Sequence, residues 1–233
     1  MLADWNARSH DPGMMKMSTP LAITALAATL LIAGSRAVSR DDPVAPNRPT
    51  GSVGPASATL SYDGDKLRAP SDYREWIYVT TGIDMSYSRV NLPGHHMFDS
   101  VFVDPAAWQA FKRTGTWPDK TVLALETRGA ETKGSINKRG YFQDADLMGL
   151  EIHVKDVGRF GGDGWAFFTF DDTDKPAAMI PRDNDCYSCH KAHGAVDSTF
   201  VQFYPTMLPL AKAKGTLSAA YLQDIAQDKA AAK

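Results

Sequence analysis

The stretch WAFFTFDDTDKPAAMIPRDNDCYSCH, residues 165–190, divides the chain into two parts of different character. It begins with an apolar, aromatic run at residues 165–170 that is typical of a buried β-strand. It ends with Cys186-Tyr187-Ser188-Cys189-His190, which contains both cysteines of the chain. Strand patterns predominate before the cysteine pair and helical patterns after it. We therefore expect an α+β fold.

The cysteine pair and the following histidine form a CxxCH motif, the attachment signature of a c-type haem. Each thiol can add across one vinyl group of the haem, and His190 is then placed as the proximal iron ligand. The spacer matches the spread of the two vinyl groups when the segment forms about one helical turn. The motif predicts one covalently attached haem c, bound through Cys186, Cys189 and His190.

Three other interpretations of the cysteine pair are weaker. A structural zinc site needs about four ligands, so His190 and His193 would have to complete it. A thioredoxin-like redox pair belongs near a βαβ unit, which the surrounding residues do not resemble. A disulfide across so short a loop is strained and adds little stability. Haem attachment is favoured, provided that the chain is exported.

The N-terminal part of the chain has the pattern of an export signal. Lys16 precedes an apolar run of 14 residues, 21–34, and small residues follow at Ser35 and Ala37. This order is typical of a cleavable signal peptide, and the run is shorter than the roughly 20 residues of a membrane span. We predict a signal peptide at residues 1–37, with an over-long start, and a periplasmic protein. An uncleaved membrane anchor is the alternative.

Composition after the signal predicts a tether and one domain. Residues 38–60 are rich in Pro, Ser and Gly, which is typical of a flexible linker, and residues 61–233 are long enough for one haem domain. The chain has 25 basic and 27 acidic residues, three and two of them within residues 1–37, so the mature protein carries 22 against 25. This slightly acidic balance does not favour a nucleic acid partner.

Local signals place several elements in the domain. Asp104 is a candidate N-cap, Pro105 fits the first helical position, and Gly115 follows the last residue of the helix. The predicted strands are residues 97–103, 121–127, 150–157 and 165–170, and the predicted C-terminal helices are residues 205–214 and 217–232.

Several motifs in this order resemble the cytochrome P-460 family, which is related to cytochrome c′-β. The similar segments are residues 73–76 (YREW), 103–105 (VDP), 140–142 (GYF), 149–160 (GLEIHVKDVGRF), 165–168 (WAFF), the late CxxCH, and 200–205 (FVQFYP). The resemblance covers about residues 70–212. It implies an antiparallel β-sheet with flanking helices that enclose one c-type haem, usually in a homodimer, with five-coordinate iron.

The resemblance also implies nitrogen chemistry at the open iron face. Cytochrome P-460 oxidises hydroxylamine, and cytochrome c′-β binds nitric oxide in an apolar pocket. In cytochrome P-460 a strand lysine is cross-linked to the haem, and an acidic residue 26 positions later lies on the distal side. The matching positions here are Leu125 and Glu151. The acid is present and the lysine is absent, which favours nitric oxide binding without a cross-link.

Other residues leave alternatives open. By strand parity, Lys120 points away from the face of Leu125, while Lys133 and Lys138 lie in a predicted polar loop at residues 129–139. Glu151 is either a solvated strand residue or a distal proton relay, and burial on the distal side would raise its pKa. His153 shares the parity of Glu151, although a lone histidine of this kind is more often an ordinary surface residue.

Further histidines and methionines are weaker candidates for an iron ligand. His95, His96 and His193 are expected near the surface. A methionine as the sixth iron ligand would instead make the protein an electron carrier. The candidates for this ligand are Met97, Met148, Met179 and Met207.

These observations leave three candidate functions. The first is a nitric-oxide-binding cytochrome, and the second is a hydroxylamine-oxidising enzyme that uses Glu151 as proton relay and passes electrons to an acceptor cytochrome. The third is a six-coordinate electron-transfer cytochrome c. The absence of lysine at Leu125 favours the first, and the presence of Glu151 favours the second.

Overall fold

A computed structural model of the chain describes residues 57–85 and 96–231. The predicted signal peptide, residues 1–37, and the linker up to residue 56 lie outside the described residues. Within the described part, none of the helices is long and apolar enough to cross a membrane.

A five-stranded antiparallel sheet forms the centre of the domain. Its strands follow one another in space in the order of the sequence, β3-β4-β5-β6-β7, and a separate two-stranded sheet pairs β1 with β2. The strands are β1 (Tyr62–Asp63), β2 (Lys66–Leu67), β3 (Ile77–Ile83), β4 (Met97–Val103), β5 (Val122–Glu131), β6 (Phe142–Lys155) and β7 (Trp165–Phe170).

The helices lie mainly after the sheet in the chain. They are α1 (Pro105–Thr114), α2 (Val157–Phe160), α3 (Asp185–His193), α4 (Leu208–Lys214) and α5 (Ala219–Ala231), with two short 3-10 helices at Tyr73–Glu75 and Val201–Phe203. The α+β class and the antiparallel sheet with flanking helices are therefore confirmed. The CxxCH motif lies on α3, which contacts α5.

The two faces of the sheet pack into different cores because side chains alternate along each strand. The site face contacts the helices and consists of Val101, Leu123, Leu125, Glu151, His153, Lys155, Trp165 and Phe167. The rear face packs against the N-terminal strands and the first 3-10 helix, and consists of Val122, Ala124, Leu150, Ile152, Val154 and Phe168. Alternation therefore turns the even-numbered β6 residues away from α3 and the odd-numbered ones towards it.

Some predicted boundaries were wrong, for local reasons. Strand β5 continues to Glu131, into the predicted polar loop, and β6 begins at Phe142, because the two strands remain paired across two register shifts. Strand β6 ends at Lys155 because the Asp156 side chain caps α2 by accepting from the Arg159 N–H at 3.0 Å.

The two C-terminal helices begin later than predicted. Residues 201–207 form a 3-10 helix and turns before α4. The Ser218 hydroxyl accepts from the Tyr221 N–H at 3.0 Å, so α5 begins at Ala219 rather than at residue 217.

The predicted limits of α1 are confirmed by its capping contacts. Asp104 Oδ1 accepts from the N–H groups of Ala106 at 3.1 Å and Ala107 at 3.0 Å. Its Oδ2 accepts from the Val122 N–H at 3.0 Å, which ties α1 to β5. Gly115 ends the helix in the left-handed region, with φ of 77°. One buried carboxylate thus joins the helix to the sheet.

We expect Asp104→Ala to destabilise the protein by about 2–4 kcal/mol, because it removes an N-cap and leaves the buried Val122 N–H without an acceptor. Urea unfolding followed by circular dichroism measures this loss. Asp119→Ala is the matched control, since Asp119 accepts from one exposed N–H, that of Val157. Equal losses in the two variants would contradict the proposed role of Asp104.

Candidate functional site

The CxxCH motif occupies the first part of α3. Asn184 caps the helix by accepting from the Cys186 N–H at 3.0 Å. Both cysteines are free thiols and partly buried. Burial raises the pKa of both the Cys186 and Cys189 thiols, whereas reactive redox pairs have a lowered pKa. The pair therefore resembles neither a disulfide nor a thioredoxin-type site.

The imidazole of His190 is held in place by a hydrogen bond to a backbone carbonyl. Its Nδ1 donates to the carbonyl oxygen of Ser198 at 2.8 Å. Since a carbonyl can only accept, the proton lies on Nδ1 and the neutral ring presents Nε2 as a ligand atom. Burial lowers the pKa of His190 to about 4, with a further contribution from His153. The ring is therefore neutral near pH 7, which is the form that binds metals.

Aromatic rings from the sheet and from the following loop surround His190. Its ring centroid lies 4.2 Å from that of Phe200, 4.8 Å from that of Phe167 and 5.0 Å from that of His153. Phe167 and His153 are on the site face, whereas Phe168 belongs to the rear core. The sheet thus supplies one wall of the site and α3 the other.

Leu125 and Glu151 are direct partners in the β5–β6 pairing. Both are on the site face, and Leu125 packs against the core beneath the helices. The alignment that placed the lysine and the acid of cytochrome P-460 at these positions therefore brings the two side chains to adjacent places in space. Glu151 therefore lies on the same face of the sheet as His153, whose ring contacts that of His190.

The carboxylate of Glu151 interacts with the next residue on its own face. Its Oε2 lies 3.6 Å from Nε2 of His153, and its side chain is 47% exposed. The expected rise in the pKa of Glu151 was wrong: the interaction with His153 lowers this pKa and outweighs the effect of burial. Glu151 is therefore ionised at neutral pH.

The lysines considered as substitutes for position 125 lie elsewhere. Lys120 is 61% exposed, and its Nζ pairs with Asp156 Oδ1 at 2.5 Å. Lys133 and Lys138 are exposed in the loop between β5 and β6. Lys155 is on the site face, but its Nζ donates to the Trp117 carbonyl at 2.9 Å. Lys120 and Lys155 therefore each have a partner away from position 125.

Most of the weaker candidates for an iron ligand contact residues away from His190. His193 Nδ1 pairs with Asp224 at 2.7 Å, and His96 contacts Asp84 at 2.6 Å and Tyr141 at 3.0 Å. Met179 packs against the rear core. His95 lies outside the described residues.

The remaining methionine candidates differ in how deeply they are buried. Met207 is buried in the core on the helix side, whereas Met97 and Met148 are partly buried.

A cleft of about 430 Å³ opens beside His190. Its walls are partly aromatic and partly charged, formed by Asp163, Trp165, Phe167, Arg182, Tyr187, His190, Lys191 and Ser198. The Arg182 guanidinium stacks over the Tyr187 ring, 4.8 Å from its centroid. The Tyr187 hydroxyl in turn donates to the Ile180 carbonyl at 3.1 Å. Both His190 and its hydrogen-bond partner Ser198 line the cleft.

The chemistry of these residues fits a haem c. Two free thiols lie three positions apart on one helix, and a neutral histidine with a fixed Nδ1 follows directly. Among the described residues there is no cluster of three or more His, Cys, Asp or Glu that could hold a metal ion by itself. A porphyrin would supply the remaining ligands of an iron bound to His190.

Sequence reasoning missed several neighbours of His190. His153 was taken for an ordinary surface residue, yet its ring contacts that of His190; its parity with Glu151 was the signal that could have identified it. The Ser198 carbonyl gave no signal, since a backbone acceptor leaves no trace in residue identity.

One comparison with known proteins finds a matching family. The model of the family described as cytochrome P460 matches residues 70–201, which include β3 to β7, α1 to α3 and the CxxCH motif. No curated protein matches the chain.

Proposed function

Since the chain belongs to the cytochrome P-460 family, we propose that it is a mono-haem c-type cytochrome that binds small nitrogen species, nitric oxide above all. The family is one of haem-binding cytochromes. The observation that carries the proposal is the His190 imidazole, neutral and fixed by Ser198, directly after two free thiols and against the site face.

The residues of α3 would attach and orient the haem. Cys186 and Cys189 would form the thioethers, and His190 would ligate the iron through Nε2. A bound haem would supply an iron that can take up a small ligand and exchange one electron. The Nδ1–H bond to Ser198 fixes the ring orientation and raises its basicity.

The site face would determine which ligands are accepted. Leu125 and Val101 offer apolar contacts, which exclude water and favour uncharged diatomic molecules over ions. Glu151 and His153 are the polar groups beside them. An ionised Glu151 can accept a proton from a protonated nitrogen ligand.

Leu125 favours ligand binding over oxidation, because leucine cannot form the haem cross-link of cytochrome P-460. We expect the reduced haem protein to lack the red-shifted Soret band of cytochrome P-460, and to bind nitric oxide with one ligand per haem. Optical titration of the reduced protein measures both properties. A red-shifted band would contradict the prediction that no cross-link forms. A spectrum of six-coordinate, methionine-ligated iron would indicate an electron carrier.

A hydroxylamine-oxidising enzyme is the second candidate, and the placement of Glu151 on the site face beside His153 favours it. If the protein oxidises hydroxylamine with an electron-acceptor cytochrome or a dye, we expect Glu151→Gln to lower turnover about 100-fold, as for a lost general base. Glu75→Gln, at an exposed glutamate of the first 3-10 helix, is the control. Unchanged turnover in Glu151→Gln would remove Glu151 from the reaction.

We also propose a periplasmic location, a signal peptide and a homodimer. Export of the chain is the condition for haem attachment to CxxCH, and the apolar run at residues 21–34 supports it. Fractionation of cells that express the full chain tests the location, the mass of the exported protein tests removal of the signal peptide, and size-exclusion chromatography of the haem protein tests the homodimer.

A further inference from the structure

The loop after α3 contains two consecutive residues in an unusual conformation. Asp197 and Ser198 have φ values of 47° and 56°, in the left-handed region that disfavours residues other than glycine. They form the turn between Val196 and Thr199, which is closed by the Thr199 N–H to Val196 carbonyl bond at 2.9 Å. Such a conformation persists only where surrounding contacts enforce it.

Those contacts come from the Asp197 carboxylate. Its Oδ2 accepts from the Trp117 N–H at 3.0 Å and lies 3.4 Å from the Lys155 Nζ. Lys155 also donates to the Trp117 carbonyl at 2.9 Å, and its side chain is only 16% exposed. The segment before β5 and the end of β6 therefore hold one side of the turn through contacts with Asp197.

The other side of the turn is held by a buried pair. The Trp117 indole Nε1–H donates to the Thr199 hydroxyl at 2.7 Å, and this hydroxyl donates to the Val196 carbonyl at 2.5 Å. Trp117, Thr199 and Val196 are all buried. We call Trp117, Lys155, Asp197 and Thr199 the turn clamp.

The clamped turn presents one group to the haem site, the Ser198 carbonyl that accepts from His190 Nδ1. We propose that Asp197 is a positioning residue which, through the turn clamp, fixes the strength of this bond and thereby the electron donation of His190 to iron. This inference rests on the proposed function, because it requires iron bound to His190. The strength of a proximal Nδ1–H bond is one of the means by which a protein sets the redox potential of a haem.

A merely structural role of Asp197 would leave the proximal bond unchanged. The decisive readout is therefore the iron–histidine stretching band in the resonance Raman spectrum of the reduced, full-length haem protein. We expect Asp197→Ala to shift this band to lower frequency and to raise the reduction potential, because a loosened Ser198 carbonyl makes the imidazole a weaker donor.

Two further variants separate position from charge. Asp197→Asn removes the same charge but keeps an oxygen that can accept from the Trp117 N–H, so we expect it to retain most of the wild-type band frequency. Lys155→Met should lower the frequency by less than Asp197→Ala, and it keeps the inference testable if Asp197→Ala does not fold. Lys120→Met is the matched control: it breaks the exposed pair with Asp156 and should leave the band unchanged.

A wild-type band in both Asp197→Ala and Lys155→Met would overturn the inference, as would equal shifts in Asp197→Ala and Asp197→Asn. A wild-type chain that takes up no haem would instead contradict the proposed function. The turn clamp is then tested in the haem-free chain by the ¹⁵N chemical shifts of His190, which in Asp197→Ala should show the loss of a fixed Nδ1 proton.

Discussion

The Cys186→Ala/Cys189→Ala double variant will lose essentially all acid-stable haem when it is expressed in a host that attaches c-type haem. The thioethers are the covalent bonds of the proposed attachment, and alanine cannot form them. Mass spectrometry of the intact wild-type protein should show the mass of one haem added to the chain, and acid-acetone extraction should leave it in place. In the double variant the chain mass should be unmodified.

A single cysteine variant and a control variant test which residues attach the haem. Cys189→Ala keeps one thioether, so its acid-stable haem should fall below one per chain. Ser188→Ala, between the two cysteines, removes only an exposed hydroxyl that donates to the Asp185 carbonyl at 3.0 Å, and should attach haem normally. Full acid-stable stoichiometry in Cys189→Ala would contradict attachment through both thiols.

The geometry of the sheet explains how one side chain could decide between nitric oxide binding and hydroxylamine oxidation. Leu125 and Glu151 are neighbours across β5 and β6, so a change of one side chain at position 125 alters the surroundings of the acid directly. A lysine there would place a cation beside Glu151, whereas leucine leaves Glu151 with His153 as its partner. The presence of the acid alone does not imply oxidation of a substrate.

Elements with strong local signals could be predicted from the sequence. Strands β4 and β7 have the predicted limits, and α1 does as well because Asp104, Pro105 and Gly115 each act within one turn of the chain. The late CxxCH motif likewise required no tertiary information, since its chemistry lies within five consecutive residues.

What could not be predicted depends on distant partners. The early start of β6 depends on pairing with β5 across irregular register, which single-strand patterns do not encode. The lowered pKa of Glu151 depends on its hydrogen bond with His153, which outweighs the effect of burial. The fixation of His190 depends on a backbone carbonyl eight residues away, presented by a turn that Trp117 and Lys155 hold from other parts of the chain.

The register that places Leu125 on the site face is stabilised by its neighbour Glu126, which is on the rear face. A shift of one residue would move every side chain of β5 to the opposite face. The Glu126 carboxylate is 2% exposed; it accepts from the Tyr73 hydroxyl, the Arg74 guanidinium and the Arg128 Nε, the last at 2.9 Å. Burial alone would raise the pKa of Glu126, but these donors outweigh it and lower the pKa.

We expect Glu126→Ala to destabilise the protein by about 3–5 kcal/mol, the usual cost of leaving a buried charge without its partner. Arg128, which is 15% exposed, would lose its carboxylate, and the Tyr73 hydroxyl would lose its acceptor. Urea unfolding monitored by circular dichroism measures the loss. Glu126→Gln keeps an acceptor for Tyr73 and should cost less. Because the pKa of Glu126 is lowered in the folded state, its stabilisation should also be lost as pH falls below its ordinary value, about 4.3.

The decisive comparison is a double-mutant cycle between Glu126 and Arg128. If the destabilisation of Glu126→Ala comes from an uncompensated Arg128, then Arg128→Met should be much less harmful in the Glu126→Ala background than in the wild type, with a coupling of at least about 1 kcal/mol. Additive losses would show that Glu126 acts through packing alone. In that case the ion pair would not explain why β5 keeps Leu125 opposite Glu151, and the register would have to depend on the apolar cores of the two faces.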